Sequence, residues 1–177
     1  MKNLQIFSVL FIALLTFSCS KDDDNQNSDS QTEAQEPKFE ATINGGSFTN
    51  YPFELGVYEI TRGTNGNTIS IDVADTQGQS INLFLNGTNG FSNGTVKEIG
   101  NVDSDNFTTH AVIRDQQAVI TYFSSSGSIT ITNNRAHPSK TGYRLLSGNY
   151  SVMASSIDNL NTTELTGSFT ELEFDNQ

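Results

Sequence analysis

Thr68-Ile69-Ser70-Ile71-Asp72-Val73-Ala74-Asp75-Thr76-Gln77-Gly78-Gln79-Ser80-Ile81-Asn82-Leu83-Phe84-Leu85 is the stretch that decides the fold. Ile69, Ile71 and Val73 alternate with Ser70 and Asp72, and Ile81, Leu83 and Leu85 repeat the alternation with Asn82 on the other side. Successive side chains of an extended chain point to opposite faces, so each run has one buried face and one wet face. Asp75-Thr76-Gln77-Gly78 between them is turn chemistry, and the two runs read as a hairpin.

The same period of two extends in both directions. Upstream, Phe39, Ala41 and Ile43 lead into Asn44-Gly45-Gly46, a hairpin signal because both central positions accept positive φ. The chain returns through Ser47-Phe48-Thr49, is interrupted at Pro52, and makes a further strand over 55–61 before the turn at 63–67. Downstream, the glycine-rich loop 86–94 precedes a short strand over 95–99. Residues 107–114 and 117–123 read as a second hairpin about Asp115-Gln116. Val119, Ile120, Tyr122 and Phe123 put apolar groups on both faces, which suggests a central strand covered on both sides. Ser124-Ser125-Ser126-Gly127 reads as a turn into a strand over 128–132, followed by a loop over 133–141. Strands over 143–154 and 164–174, with a turn region between them, complete the chain.

Nowhere do apolar residues recur at three and four positions over a helix's length. Strand signals come about every ten residues with turn residues between, which predicts one all-β domain over 38–177, an antiparallel sandwich or an up-and-down barrel-like sheet. Leu146-Ser147-Gly148-Asn149-Tyr150-Ser151 is echoed by Leu165-Thr166-Gly167-Ser168-Phe169-Thr170 and, in part, by Gly46-Ser47-Phe48-Thr49. A glycine two residues before an aromatic shares its strand face and lets a neighbour's ring lie over bare backbone. The echo therefore predicts two equivalent strands.

The front of the chain is different. Lys2 precedes the apolar run Ile6, Phe7, Val9, Leu10, Phe11, Ile12, Ala13, Leu14 and Leu15, the layout of a secretory leader and too short for a comfortable membrane span of about 20 residues. The run ends in Leu15-Thr16-Phe17-Ser18-Cys19, which resembles the lipobox of bacterial lipoproteins. The resemblance implies that residues 1–18 are removed and that Cys19 carries lipid at a new amino terminus. Two acyl chains would hold it there, at about 0.8 kcal/mol per buried methylene. Ser20-Lys21-Asp22-Asp23-Asp24 resembles the acidic export tag of Bacteroidota lipoproteins, which implies the cell-surface face of the outer membrane, the periplasmic face being the alternative. Residues 19–37, rich in Asp, Asn, Ser, Gln and Glu, read as the lipidated cysteine and a disordered acidic linker. The domain behind them is similar to a group of small Bacteroidota lipoproteins that open with an aromatic-x-Ala-x-x-Asn-Gly stretch, here Phe39 to Gly45, and close with Ser/Thr-Gly-x-aromatic strands. That similarity implies an all-β fold and carries no catalytic residue across.

With a formal charge of -11 for the whole chain and -7 for residues 38–177, there is no electrostatic footprint for nucleic acid. One cysteine leaves no intramolecular disulfide, so stability must come from packing and strand ladders. His110 and His137 are the only histidines, without a nucleophile elbow or clustered zinc ligands, and no cofactor is expected. Asn101-Val102-Asp103-Ser104-Asp105-Asn106 places oxygen ligands at alternate positions, as a calcium loop does, but has Asn106 where glycine is wanted. An Asx-rich turn is the other reading. Glu54, Glu59, Asp72 and Glu171 are the carboxylates from which a glycosidase pair would be drawn. Tyr51, Phe53, Tyr58, Tyr122 and Tyr143 are the rings available to stack on sugars, there being no tryptophan. Arg135, His137, Lys140 and Arg144 form a basic island suited to a carboxylated or sulfated ligand. The expectation is a lipid-anchored, non-enzymatic binding or scaffolding module with a glycan or protein partner outside the cell. A polysaccharide-binding accessory protein is the alternative, and a glycoside-active enzyme a further one.

Overall fold

The alternating runs form ten strands: β1 (Lys38–Gly45), β2 (Phe48–Glu54), β3 (Val57–Arg62), β4 (Thr68–Ala74), β5 (Ser80–Asn86), β6 (Val96–Glu98), β7 (His110–Asp115), β8 (Ile120–Ala136), β9 (Tyr143–Ser156) and β10 (Thr162–Asp175). The computed structural model describes residues 33–103 and 107–177. The expected leader, Cys19, the expected linker up to residue 32 and residues 104–106 of the Asx-rich stretch lie outside the described residues.

All ten strands belong to one antiparallel sheet in the order β2-β1-β10-β9-β8-β7-β5-β4-β3, with β6 added along β8. β7 pairs with β8 at Ile120, Thr121, Tyr122 and Phe123, while β6 takes Ser128, Ile129 and Thr130 further along the same edge. β2 and β3 stand at opposite ends of this order, yet only Leu55 and Gly56 separate them in the chain. The sheet must therefore curl until its two edges approach. Beyond the reach of β1, the second half of β10 meets β3: the Glu173 N–H donates to Tyr58 Oη at 3.1 Å and Arg62 Nη1 donates to the Asn176 carbonyl at 2.8 Å. The result is a half-barrel, the barrel-like of the two architectures predicted. A cleft of about 500 Å³ between β1, β2 and β3 marks the seam.

Inward positions fill the curl. Ile69, Ile71 and Val73 of β4 stand opposite Leu85, Leu83 and Ile81 of β5, and all six are buried, as the alternation requires. Phe39, Ile43, Phe53, Ile113, Tyr122, Ile129, Leu165 and Phe169 continue the same core.

One end is closed by the turns at 45–47, 75–79 and 115–119. The β1–β2 turn lies on Tyr122, whose Oη accepts the Ser47 N–H at 2.9 Å, and Phe48 packs 6.0 Å from the Tyr122 ring. Tyr51 donates its hydroxyl proton to Asp75, and Asp75 in turn accepts the Gln77 and Gln79 N–H groups at 2.8 and 2.9 Å. Gln79 then bridges to the next turn, donating to Asp115 and accepting the Gln116 N–H at 2.8 Å. Burial first, then the bond to Asp75, pushes the Tyr51 phenol pKa up, so it stays a donor.

Three expectations fail here. Ser124-Ser125-Ser126-Gly127 is not a turn: β8 runs straight through it, because register shifts at Ser124/Ser126 and Ile131/Asn133 absorb the irregularity. Gly127, at φ 116°, lies so close to the Ser151 carbonyl that no side chain fits between them. Residues 133–136, expected in a loop, belong to the same strand. Nor is 117–123 covered on both faces. Tyr122 is fully buried, but Phe123 is 48% exposed on the outer face, and Val119, 67% exposed, sits in the hairpin turn at φ 58°.

A candidate binding mouth at the open end

The opposite end is bordered by the 63–67 turn, the 87–95 loop, the 137–142 loop and the end of β10. Period-two alternation fixes what points inward there. On β3, Arg62 stands opposite the buried Ile69 of β4, and on β9, Arg144 stands opposite the buried Phe174 of β10. Both arginines are therefore the last inner-face side chains of their strands. They line a cavity of about 350 Å³ with Ile69, Phe91 and Phe174 beneath and Asn89, Ser92, Asn134 and Asn176 around the rim. No acidic side chain is among its described lining residues.

Both guanidiniums are held in place. Arg144 Nε donates to Asn134 Oδ1 at 2.6 Å and Nη2 donates to the Asn134 carbonyl at 2.7 Å, a forked contact that fixes the plane of the group. Asn134 is fixed by the 87–95 loop, giving its Nδ2–H to the Phe91 carbonyl at 2.8 Å and its backbone N–H to Asn93 Oδ1 at 2.7 Å. Arg62 folds across the 63–67 turn and holds Asn176. Neither arginine has a carboxylate partner among the described residues.

The basic island of the sequence does not assemble as one site. Arg135 stands opposite Leu145, one position away from Arg144, and so points to the outer face. There its Nε and Nη2 grip Glu171 Oε1 at 3.0 and 2.6 Å. The same pair binds residues 33–35: Arg135 Nη2 donates to the Glu33 carbonyl at 3.2 Å, and the Gln35 N–H donates to Glu171 Oε2 at 2.6 Å. His137 Nδ1 accepts the Ser139 and Lys140 N–H groups, both at 3.1 Å, which places its proton on Nε2, 3.1 Å from Glu173. Lys140 Nζ reaches the same Glu173 oxygen at 2.6 Å, and that bond raises its pKa. Three of the four residues are thus spoken for by Glu171 and Glu173, and Arg144 alone joins the mouth. Arg62 was missed because in the sequence it is a lone cation before a turn. The strand register that carries it to Arg144 was the only signal.

The other candidates separate as well. Glu59 and Asp72 are cross-strand partners on the outer face, beside a hollow of about 370 Å³ that Arg114 also lines. Asp72 accepts from Ser70 and Asn82 at 2.9 and 2.7 Å. Glu54 stands opposite Glu40, and Glu171 is committed to Arg135. Asp103, from the calcium-loop-like stretch, accepts the Thr88 hydroxyl and, at 3.0 Å, the Lys97 ammonium, which together lower its pKa to about 2. A cation already occupies that carboxylate. No group of three or more metal-ligating side chains is found among the described residues. His110 stacks on Phe84 at 4.9 Å between ring centroids. Of the five rings considered for sugar stacking, Tyr122 and Phe53 are buried and Tyr51 and Tyr58 pack against the core, while Tyr143 is 37% exposed under Lys140.

Fold and mouth together define a half-barrel closed at one end and lined at the other by paired arginines and amides. Compared with protein-family models, curated proteins and solved structures, the chain shows no match.

Proposed function

We propose that this chain is a lipid-anchored outer-membrane binding module, displayed on the cell surface through Cys19, that captures a saccharide in the open mouth without chemically altering it. The observation that carries the binding reading is the mouth itself: a concave site with an aromatic and aliphatic floor, three amides and two oriented guanidiniums in an otherwise acidic domain. Carbohydrate hydroxyls pair well with amide and guanidinium groups, and a ring face suits Phe91 and Phe174. The address is supported by the leader, the lipobox-like Leu15-Thr16-Phe17-Ser18-Cys19 and the acidic stretch after it.

The test uses intact cells producing the full chain or its Cys19→Ser form. Labelled palmitate should enter only the parent, external protease should release the domain, and a panel of fluorescent polysaccharides should stain only cells displaying it. Equal palmitate in both forms removes the anchor, and full protection from protease leaves the periplasmic face. Staining by no polysaccharide removes the saccharide reading.

A further inference from the structure

We infer that the mouth selects a saccharide bearing an isolated carboxylate or sulfate group, gripped between Arg62 and Arg144; this rests on the mouth being the ligand site. Residues 38–177 contain fourteen acidic side chains and seven lysines and arginines, so carboxylate partners are plentiful. Lys38, Lys97, Arg135 and Lys140 each take one. Among the described residues Arg62, Arg114 and Arg144 do not, and two of these three converge on one cavity that no described acidic side chain lines. An unneutralised pair of like charges at the mouth of a fold costs free energy unless something anionic visits it.

The register explains how the pair is built and kept. Asp175, between Phe174 and Asn176, stands opposite Tyr143 and takes the Gln177 N–H at 2.9 Å, turned away from the inner face by the same alternation that turns Arg144 towards it. Arg144 uses Nε and Nη2 on Asn134 and Arg62 uses Nη1 on Asn176, which orients both forks and leaves N–H groups on each for a two-oxygen anion. The surrounding domain, at -7, opposes dense polyanions over the roughly 8 Å range that physiological salt permits. A sugar chain with sparse charges escapes that repulsion, and Asn89 and Ser92 are placed for its hydroxyls.

The test is calorimetric binding by the full lipoprotein, extracted from membranes in detergent. The probes are trigalacturonate, its methyl ester, a monosulfated neutral trisaccharide and the unsulfated parent. The expected result is that one or both acidic probes bind at least about tenfold more tightly than their neutral counterparts. Arg62→Gln and Arg144→Gln should each erase about tenfold of that preference. Because Arg144 also holds Asn134, Asn89→Asp serves as the second variant: it adds a negative charge to an exposed rim position and should weaken the acidic probes more than the neutral ones. Preference for only one acidic probe identifies the anion. Equal binding of acidic and neutral probes, unmoved by Asn89→Asp, overturns the anion inference and leaves the mouth intact. If no probe binds, the mouth reading falls with it.

Discussion

Asp115 is only 4% exposed and makes no ion pair among the described residues, where hydrogen bonds carry its charge. Burial pushes its pKa up; the Ser47 hydroxyl, the Ala118 and Gln117 N–H groups and the Gln79 amide outweigh that and leave it lowered. A carboxylate whose folded pKa lies below its unfolded value of about 3.9 stabilises the fold above that value and loses the contribution as pH falls through the folded one. Asp115→Asn should therefore cost about 1–3 kcal/mol at neutral pH, with the gap to the parent narrowing below about pH 4. Thermal melts between pH 2 and pH 7 check this, and a gap that stays constant would mean that Asp115 is not ionised in the fold. Nothing in Asp115-Gln116 distinguished this carboxylate from an ordinary turn residue, because its donors come from three separate turns. The same holds at the mouth: Arg144 was visible as part of a basic run, but which of its neighbours shared its face depended on register shifts in β8 and β10 that no local pattern reveals. Val119 is misread for a related reason, since a β-branched residue at positive φ is the last that turn chemistry would choose.

Strands whose pattern includes what the neighbour must supply were the most legible. The Gly-x-aromatic echo is one: Gly148 pairs with Phe169 and Gly167 with Tyr150, so each glycine lies under the ring of the other strand. Phe39 adds a third ring, 5.3 Å from Tyr150, and Tyr150 and Phe169 lie 6.4 Å apart with only 15° between their planes. The two equivalent strands predicted from the repeat are the adjacent β9 and β10. A methyl group on Gly148 would sit 2.9 Å from Phe169 Cε1 and 2.5 Å from the Thr130 carbonyl, and one on Gly167 would meet the Glu40 carbonyl and lie 2.6 Å from Tyr150 Oη. Rings can swing but the carbonyls are fixed in ladders, so Gly148→Ala and Gly167→Ala should each destabilise by about 1–3 kcal/mol. Urea denaturation measures it, and a cost below a few tenths for both would mean that the ladder yields where the packing argument says it cannot. Ser124 to Gly127 was illegible by contrast: small polar residues read as a turn when alone, and only β9 alongside, with its own unpaired backbone, makes them a strand.

At the scale of the molecule, strand alternation in the sequence made the all-β class legible but left sandwich and barrel open, because both have the same alternation and differ only in which strands meet. What settles it is that β1 pairs with β10, the last strand, so the curl cannot be completed until the whole chain is present. β10 lies between β1 and β9, pairing Lys38 through Asn44 on one side and residues from Tyr143 to Ser155 on the other, and it buries Leu165, Phe169, Leu172 and Phe174. Removing it would strand the β1–β2 hairpin, expose the rings of Phe39 and Tyr150, and take Phe174 from beneath the mouth. A chain ended after Asn161 should therefore show no cooperative transition on heating, and its amides in β4 and β5 should exchange far faster than in the parent, although every residue of that hairpin is retained. Circular dichroism melts with hydrogen exchange decide the matter. A truncated chain that still melts sharply, with β4 and β5 protected, would show that the local hairpins hold the fold and that closure through β10 serves only to shape the mouth.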